Sequence, residues 1–265
     1  MRTRDALAQT ERRLAEAGID TPRVDAEWLV ASVLGVSRTD VQLHEEVDAD
    51  RLEPLVRRRE QREPLAYVLE EWGFRRLTLK TDARALVPRP ETEIVVERTL
   101  AVLRRMDAPR VLDVGVGSGA IALAIKDEQP AAVVTGVDRS TDALALAREN
   151  ARRLRLDVEL RGGGPEIAGE GWDLVVSNPP YVAEGAFADL QPELQWEPRE
   201  ALVDSGLRDE LIRLARTTWL VLEVADGHAD AVATSFAERG YVDVSVTRDL
   251  SGVERVVEGR RDEHR

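Results

Sequence analysis

Cysteine is absent from this chain of 265 residues. Disulfides, thiolate metal sites and cysteine nucleophiles are excluded at once. Histidine is scarce: His44, His228 and His264 are the only three, they lack metal-ligand spacing, and each reads as a surface residue. No apolar run reaches 18 residues, so no membrane-spanning helix is expected. The opening Met1-Arg2-Thr3-Arg4-Asp5 leads into a polar, amphipathic stretch unlike a secretory signal, and the cytoplasm is the expected location. Positive charge in excess is missing too. The formal net charge is −13, which argues against a protein that binds nucleic acid by neutralising its phosphates. Arginine supplies 35 of the 37 basic residues, a bias that reads as genome composition rather than as phosphate binding.

Hydrophobic residues make up 43% of the chain, enough for a packed core and far from a disordered composition. The length fits a core domain with a smaller companion. The first 60 or so residues read as helices. Residues 5–17 carry Leu7 and Leu14, and Thr21 and Pro22 mark the start of a second helix with Val24, Trp28, Ala31 and Leu34 at helical spacing. A third helix follows Asp48, and Arg57 to Glu63 is a charge run that reads as a solvated helix face. Trp72 to Thr81 suggests a hairpin, and Val87-Pro-Arg-Pro-Glu-Thr-Glu93 has two prolines that force an extended segment. These changes place a helical domain at 1–71, a linker at 72–90 and a second domain at 91–265.

Beyond residue 91, strands and helices alternate. Strands are expected at 110–114, 133–138, 158–161, 173–177 and 220–224, with helices between most of them. Two last strands, 242–247 and 253–257, have no crossover between them and so form an antiparallel pair. The pattern is that of an α/β doubly wound sheet with a hairpin at one end.

Two constellations carry chemistry. In Val111-Leu-Asp-Val-Gly115-Val116-Gly117-Ser118-Gly119, a buried strand runs into a turn with glycines at spacing two, and a helix begins. Missing side chains let a ligand approach the backbone, and the helix start offers unpaired N–H groups. The spacing is not the Gly-x-Gly-x-x-Gly of dinucleotide binding, so a dehydrogenase is the weaker reading. Asp138, 23 residues after Gly115, ends the next strand, where an acidic side chain can accept bonds from two ribose hydroxyls. The second constellation, Asn178-Pro179-Pro180-Tyr181, directly follows a buried strand. Prolines fix that turn and leave carbonyls unpaired, Asn178 adds an amide oxygen, and Tyr181 adds a flat face. Such a set accepts two hydrogen bonds from a planar –NH2 group and aims its lone pair at a donor.

The Asn-Pro-Pro-Tyr segment with the Gly-x-Gly-x-Gly turn resembles class I methyltransferases acting on adenine N6 or glutamine N5. Pro64-Leu-Ala-Tyr67, Trp72-Gly-Phe74, Val87 to Glu93, Gly115 to Ala124, Asn178 to Tyr181, Glu197-Pro-Arg199 and Asp249 to Val257 occur in that order. Together they resemble the release factor glutamine N5-methyltransferases of the HemK type over almost the whole chain. The resemblance implies a Rossmann-like class I fold with a seven-stranded sheet and a small N-terminal helical domain that helps bind the substrate. It implies S-adenosylmethionine as cofactor, held by Gly115, Val116, Gly117, Ser118, Gly119, Asp138, Gly163 and Asn178. It implies class I peptide chain release factors as protein substrates, with no membrane partner. Asn178, Pro179, Pro180 and Tyr181 would hold the glutamine amide, with Asn178, Pro179 and Tyr181 assisting catalysis, and Pro88 to Thr92 would lie near the cofactor.

Two features depart from the family pattern. Where members carry an acidic residue against the adenine, this chain has Arg161-Gly-Gly-Gly-Pro165, which leaves adenine to backbone groups, Gly163 among them. The stretch from Ala201 to Trp219 is short and lacks a Gly-rich turn before the next strand. Competing readings are an adenine N6-methyltransferase acting on nucleic acid, a glutamine methyltransferase for a ribosomal protein, and a non-catalytic cofactor-binding regulator.

Overall fold

In the computed structural model, which describes residues 1–261, the chain divides into two compact units. His264 lies outside the described residues. One unit comprises Met1–Glu71 together with Leu190–Trp196; the other comprises Trp72–Asp189 and the chain from Glu197 on.

The first unit is helical, with α1 (Thr3–Glu16), α2 (Pro22–Leu34), α3 (Ala49–Glu60) and the short α4 (Leu65–Leu69). Leu14, Leu29, Val30, Leu52, Val56 and Val68 meet in its core. Pro22 occupies the first turn of α2, where its missing N–H costs nothing. Thr21 does not cap that helix through its side chain; its hydroxyl donates instead to Asp25 Oδ1 at 2.8 Å. Asp48 does cap α3, accepting from the Asp50 and Arg51 amides. The charge run is not simply a solvated face. Arg57 points outward, but Arg59 is buried, with Asp25 Oδ2 at 2.7 Å and Glu193 Oε1 at 2.9 Å, and Arg62 also grips Glu193. Burying a guanidinium is tolerable only with such partners, so the run is an internal ion-pair cluster as much as a surface.

The second unit begins at Trp72, within the hairpin of β1 (Glu71–Phe74) and β2 (Leu77–Lys80), and continues with α5 (Thr92–Leu103), β3 (Arg110–Val114), α6 (Ala120–Glu128), β4 (Val133–Asp138), α7 (Thr141–Leu154) and β5 (Glu159–Gly162). Next come β6 (Trp172–Ser177), α8 (Arg199–Leu202), α9 (Leu207–Leu214), β7 (Thr217–Glu223), α10 (Ala229–Glu238), β8 (Tyr241–Arg248) and β9 (Glu254–Arg261). Seven strands form one sheet in the order β5-β4-β3-β6-β7-β9-β8. All its pairings are parallel except β7–β9 and β8–β9, as the spacing of the last two strands requires.

Strand periodicity sorts side chains into two layers. Val111, Leu174, Val176, Val221 and Val256 face α5, α6 and α7. Their neighbours Leu112, Val175, Leu220, Leu222 and Val257 face α9 and α10. Burial on both faces is why these strands read as continuous apolar runs. The order reverses between β3 and β6, and the crevice at the carboxyl ends of those strands is where an open α/β sheet binds ligands.

Candidate active site

A cavity of about 560 Å³ opens at that crevice. Its wall includes Val114 to Ser118, Asp138 to Ser140, Gly163 to Pro165, Val87 to Arg89, Asn178 and Pro180. The size is that of a small-molecule site.

The turn after β3 is shaped by left-handed residues. Gly115, Gly117 and Gly119 have φ of 77°, 53° and 90°, and the Gly115 and Val116 amides both donate to Val137 O at 2.9 Å, binding the turn to β4. The glycines divide their work. A Cβ on Gly117 would meet nothing nearer than Gly115 O at 3.9 Å, so its open space faces the cavity. A Cβ on Gly119 would lie 2.8 Å from Leu123 Cδ1, and Gly119 is not in the cavity wall. That glycine lets α6 start against its own first turn.

Asp138 ends β4 with both carboxylate oxygens engaged: Gly117 N donates to Oδ2 and Ser140 N to Oδ1, each at 2.9 Å. Each oxygen keeps a second lone pair, so the carboxylate can still accept hydroxyl donors from a ligand. On the other side of the cavity the glycine triplet follows β5. Gly163 has φ 156°, and a Cβ there would lie 2.2 Å from Ile167 Cδ1. A Cβ on Gly164 would lie 2.5 Å from Arg139 Nε, and Glu166 Oε1 accepts the Gly164 amide at 2.7 Å. Ile167 therefore leaves no room for a side chain at Gly163, whereas Arg139 occupies the space beside Gly164 and a Cβ on Gly162 would meet nothing.

Among the Asn178-Pro-Pro-Tyr residues, Asn178 and Pro180 line the cavity. Pro179 is buried, and Tyr181 lies outside the wall with 37% of its surface exposed. Burial and the nearby Glu223 push the Tyr181 phenol above its ordinary range. Asn178 Nδ2 donates to Thr92 Oγ1 at 3.1 Å, which leaves Oδ1 without an intramolecular donor among the described residues. Short Ala201–Trp219 ends α8 and still builds α9, and Leu207 of α9 reaches the cavity wall.

The partners of several contributing residues are not visible in the motifs that contain them. Thr92 and Arg89 belong to the proline-rich segment, but what they touch is not visible in it. Glu197, buried, accepts the Val87 amide at 2.9 Å and pairs with Arg89, pinning that segment beside the cavity. Asp113 sits inside β3, wholly buried, with Oδ2 accepting the Ala122 amide at 3.1 Å and Oδ1 unpartnered among the described residues. Burial pushes its carboxyl up to about 7. Its one sequence signal is a charge within an apolar strand. Among the described residues no cluster of His, Cys, Asp or Glu could hold a metal ion, and no helix is long and apolar enough to cross a membrane.

Residues 5–69 match the model of the PrmC N-terminal domain, and residues 92–208 match that of the methyltransferase small domain. The release factor glutamine methyltransferase of Deinococcus radiodurans is 41% identical over 98% of this chain and 99% of its own length. That decides the family. The chain belongs to the release factor glutamine methyltransferases. The Escherichia coli K12 member is 36% identical over 97% of this chain and 96% of its own. Among solved structures, the hMettl16 catalytic domain in complex with a MAT2A 3'UTR hairpin overlays with a TM-score of 0.56. That overlay covers 70% of this chain and 76% of the other at 10% identity, and it shows the class I methyltransferase fold alone.

Proposed function

We propose that the protein transfers the methyl group of S-adenosylmethionine to the side-chain amide nitrogen, N5, of the glutamine in the Gly-Gly-Gln loop of class I peptide chain release factors. The observation that carries this reading is the carboxamide of Asn178. Its NH2 is spent on Thr92, and its oxygen is left as an acceptor at a cavity whose other walls suit a nucleoside. When bound, the cofactor supplies an electrophilic methyl on a sulfonium. Its fit rests on the open backbone at Gly115 and Gly117 and on the spare lone pairs of Asp138, with Val116, Ser118 and Gly163 completing the wall.

An amide nitrogen is a poor nucleophile because its lone pair is delocalised into the carbonyl. Asn178 Oδ1 and the Pro179 carbonyl would accept its two protons, turn the lone pair toward the methyl and stabilise the positive charge that grows on nitrogen. Tyr181 would pack against the amide plane. The nitrogen then sheds a proton to solvent, so no dedicated base is needed. Residues 5–69 would enlarge the surface that recognises an intact release factor, the partner named by the curated relatives.

The test mixes the protein with methyl-labelled S-adenosylmethionine and an intact class I release factor. Label is expected on the Gly-Gly-Gln glutamine, none on a factor with that glutamine replaced, and little on a short peptide. Label on adenine in DNA or RNA, with none on release factor, would overturn the substrate and keep the transferase.

A further inference from the structure

β6 and β7 run parallel with Ser177 opposite Leu222, so Asn178 and Glu223 leave the sheet as neighbours. Thr92, the first residue of α5, stands between them. Asn178 Nδ2 donates to Thr92 Oγ1 at 3.1 Å, and Thr92 Oγ1 donates to Glu223 Oε2 at 2.7 Å. Thr92 is 4% exposed and Glu223 3%, so water does not compete for the bond between them.

A hydroxyl has a single proton. Once the Thr92 proton is given to a Glu223 carboxylate, the oxygen can only accept, and the one end of Asn178 that can donate is its NH2. The chain of bonds therefore decides which way the carboxamide is turned. A neutral Glu223 would donate to Thr92 and release the threonine proton. That proton could then go to Asn178 Oδ1, rotating the NH2 into the cavity, where it would oppose the substrate's own –NH2.

We propose that Glu223, acting through Thr92, is the positioning residue that fixes the acceptor end of Asn178 toward the substrate amide. The inference rests on the reading of Asn178 as the acceptor for a glutamine –NH2. Burial above all holds the Glu223 carboxyl up at about 7, with Glu91 adding to it and Thr92, Arg255 and Arg89 opposing it; Tyr181 faces it as well. The competent form is the anion, so turnover rises as pH rises through about 7.

With intact release factor, wild-type kcat should fall roughly tenfold per pH unit well below 7. Glu223→Gln cannot ionise and, like the neutral acid, offers Thr92 a donor beside its acceptor. Its kcat should fall at least tenfold at pH 8 and lose that acidic limb. Thr92→Val should cut kcat at least tenfold on the order expected for a lost orienting bond, with KM and cofactor Kd nearly unchanged, and Thr92→Ser should restore it. An acidic limb that survives intact in Glu223→Gln, or a Thr92→Val enzyme with wild-type kcat, overturns the proposal. A second readout needs no substrate: the side-chain amide resonances of Asn178, assigned by their loss in Asn178→Ala. They should titrate with a midpoint near that of Glu223 in the wild type and stay fixed in Glu223→Gln. If they do so while release factor goes unmethylated, the substrate reading fails and the positioning role stands. If they do not titrate in an enzyme that methylates release factor, the reverse holds.

Discussion

Gly117 and Gly119 stand two residues apart in one turn, yet substitution should separate them. Both have positive φ, so alanine is strained at either, on the order of 1 kcal/mol. At Gly119 the new methyl also meets Leu123 at 2.8 Å, and the loss should reach about 2–4 kcal/mol with the overpacking added. At Gly117 the methyl enters open cavity, so Gly117→Ala should cost less stability and weaken S-adenosylmethionine binding more. Thermal melts beside calorimetry check the pair; equal melting losses would remove the distinction. Asp138→Ala should weaken the same binding by about 1.5–3 kcal/mol, the worth of hydrogen bonds to a charged acceptor. The Gly-x-Gly-x-Gly spacing was legible as a ligand turn, because the pattern is local. The division of labour within it was not, since it depends on where Leu123 and the cavity fall. The same limit hid the bonds behind Asn178: Thr92 lies 86 residues before it in sequence, and Glu223, the partner of Thr92, lies 131 residues after Thr92.

At the scale of elements, the strands announced themselves. Val111 to Val114, Asp113 apart, Leu174 to Val176 and Leu220 to Leu222 are short apolar runs with both faces covered, and the terminal pair was recognisable from the missing crossover. Arg57 to Glu63 was misread as solvated because charge in sequence says nothing of a carboxylate distant in the chain. Glu193 lies 134 residues beyond Arg59 and joins it inside the helical unit. The consequence is measurable. Asp25→Ala leaves the buried Arg59 short of a partner and takes the acceptor from Thr21, and it should destabilise α2 and α3 by about 3 kcal/mol. Arg57→Ala, on an exposed side chain, should change stability by no more than about 0.5 kcal/mol. Hydrogen exchange of the α2 and α3 amides reads both, and similar effects would refute the buried cluster.

For the molecule as a whole, charge state couples folding to pH in two opposite ways. Glu53, held by Arg13 and Arg57, lies down at about 2, and Asp82 beside Arg84 is lowered as well. Depressed carboxylates contribute stability above their unfolded values near 4, and lose it as pH falls through the folded ones. Asp113 and Glu223 act in the other sense. Burial raises each to about 7, so the folded chain holds two protons that the unfolded chain releases near 4. Their contribution is complete below pH 4 and disappears as pH rises toward 7. The net charge of −13 at neutral pH adds self-repulsion that also eases on mild acidification. The melting temperature should therefore peak near pH 5 and decline toward pH 8. Salt distinguishes the two causes of that decline, because it screens surface repulsion and barely reaches buried groups. In about 0.5 M salt a slope should remain, and Asp113→Asn combined with Glu223→Gln should flatten it. Melting temperatures measured across pH 4–8 in both proteins decide the matter: a slope that salt abolishes in the wild type, or one that persists unchanged in the double variant, would show that these two carboxyls ionise without cost to the fold.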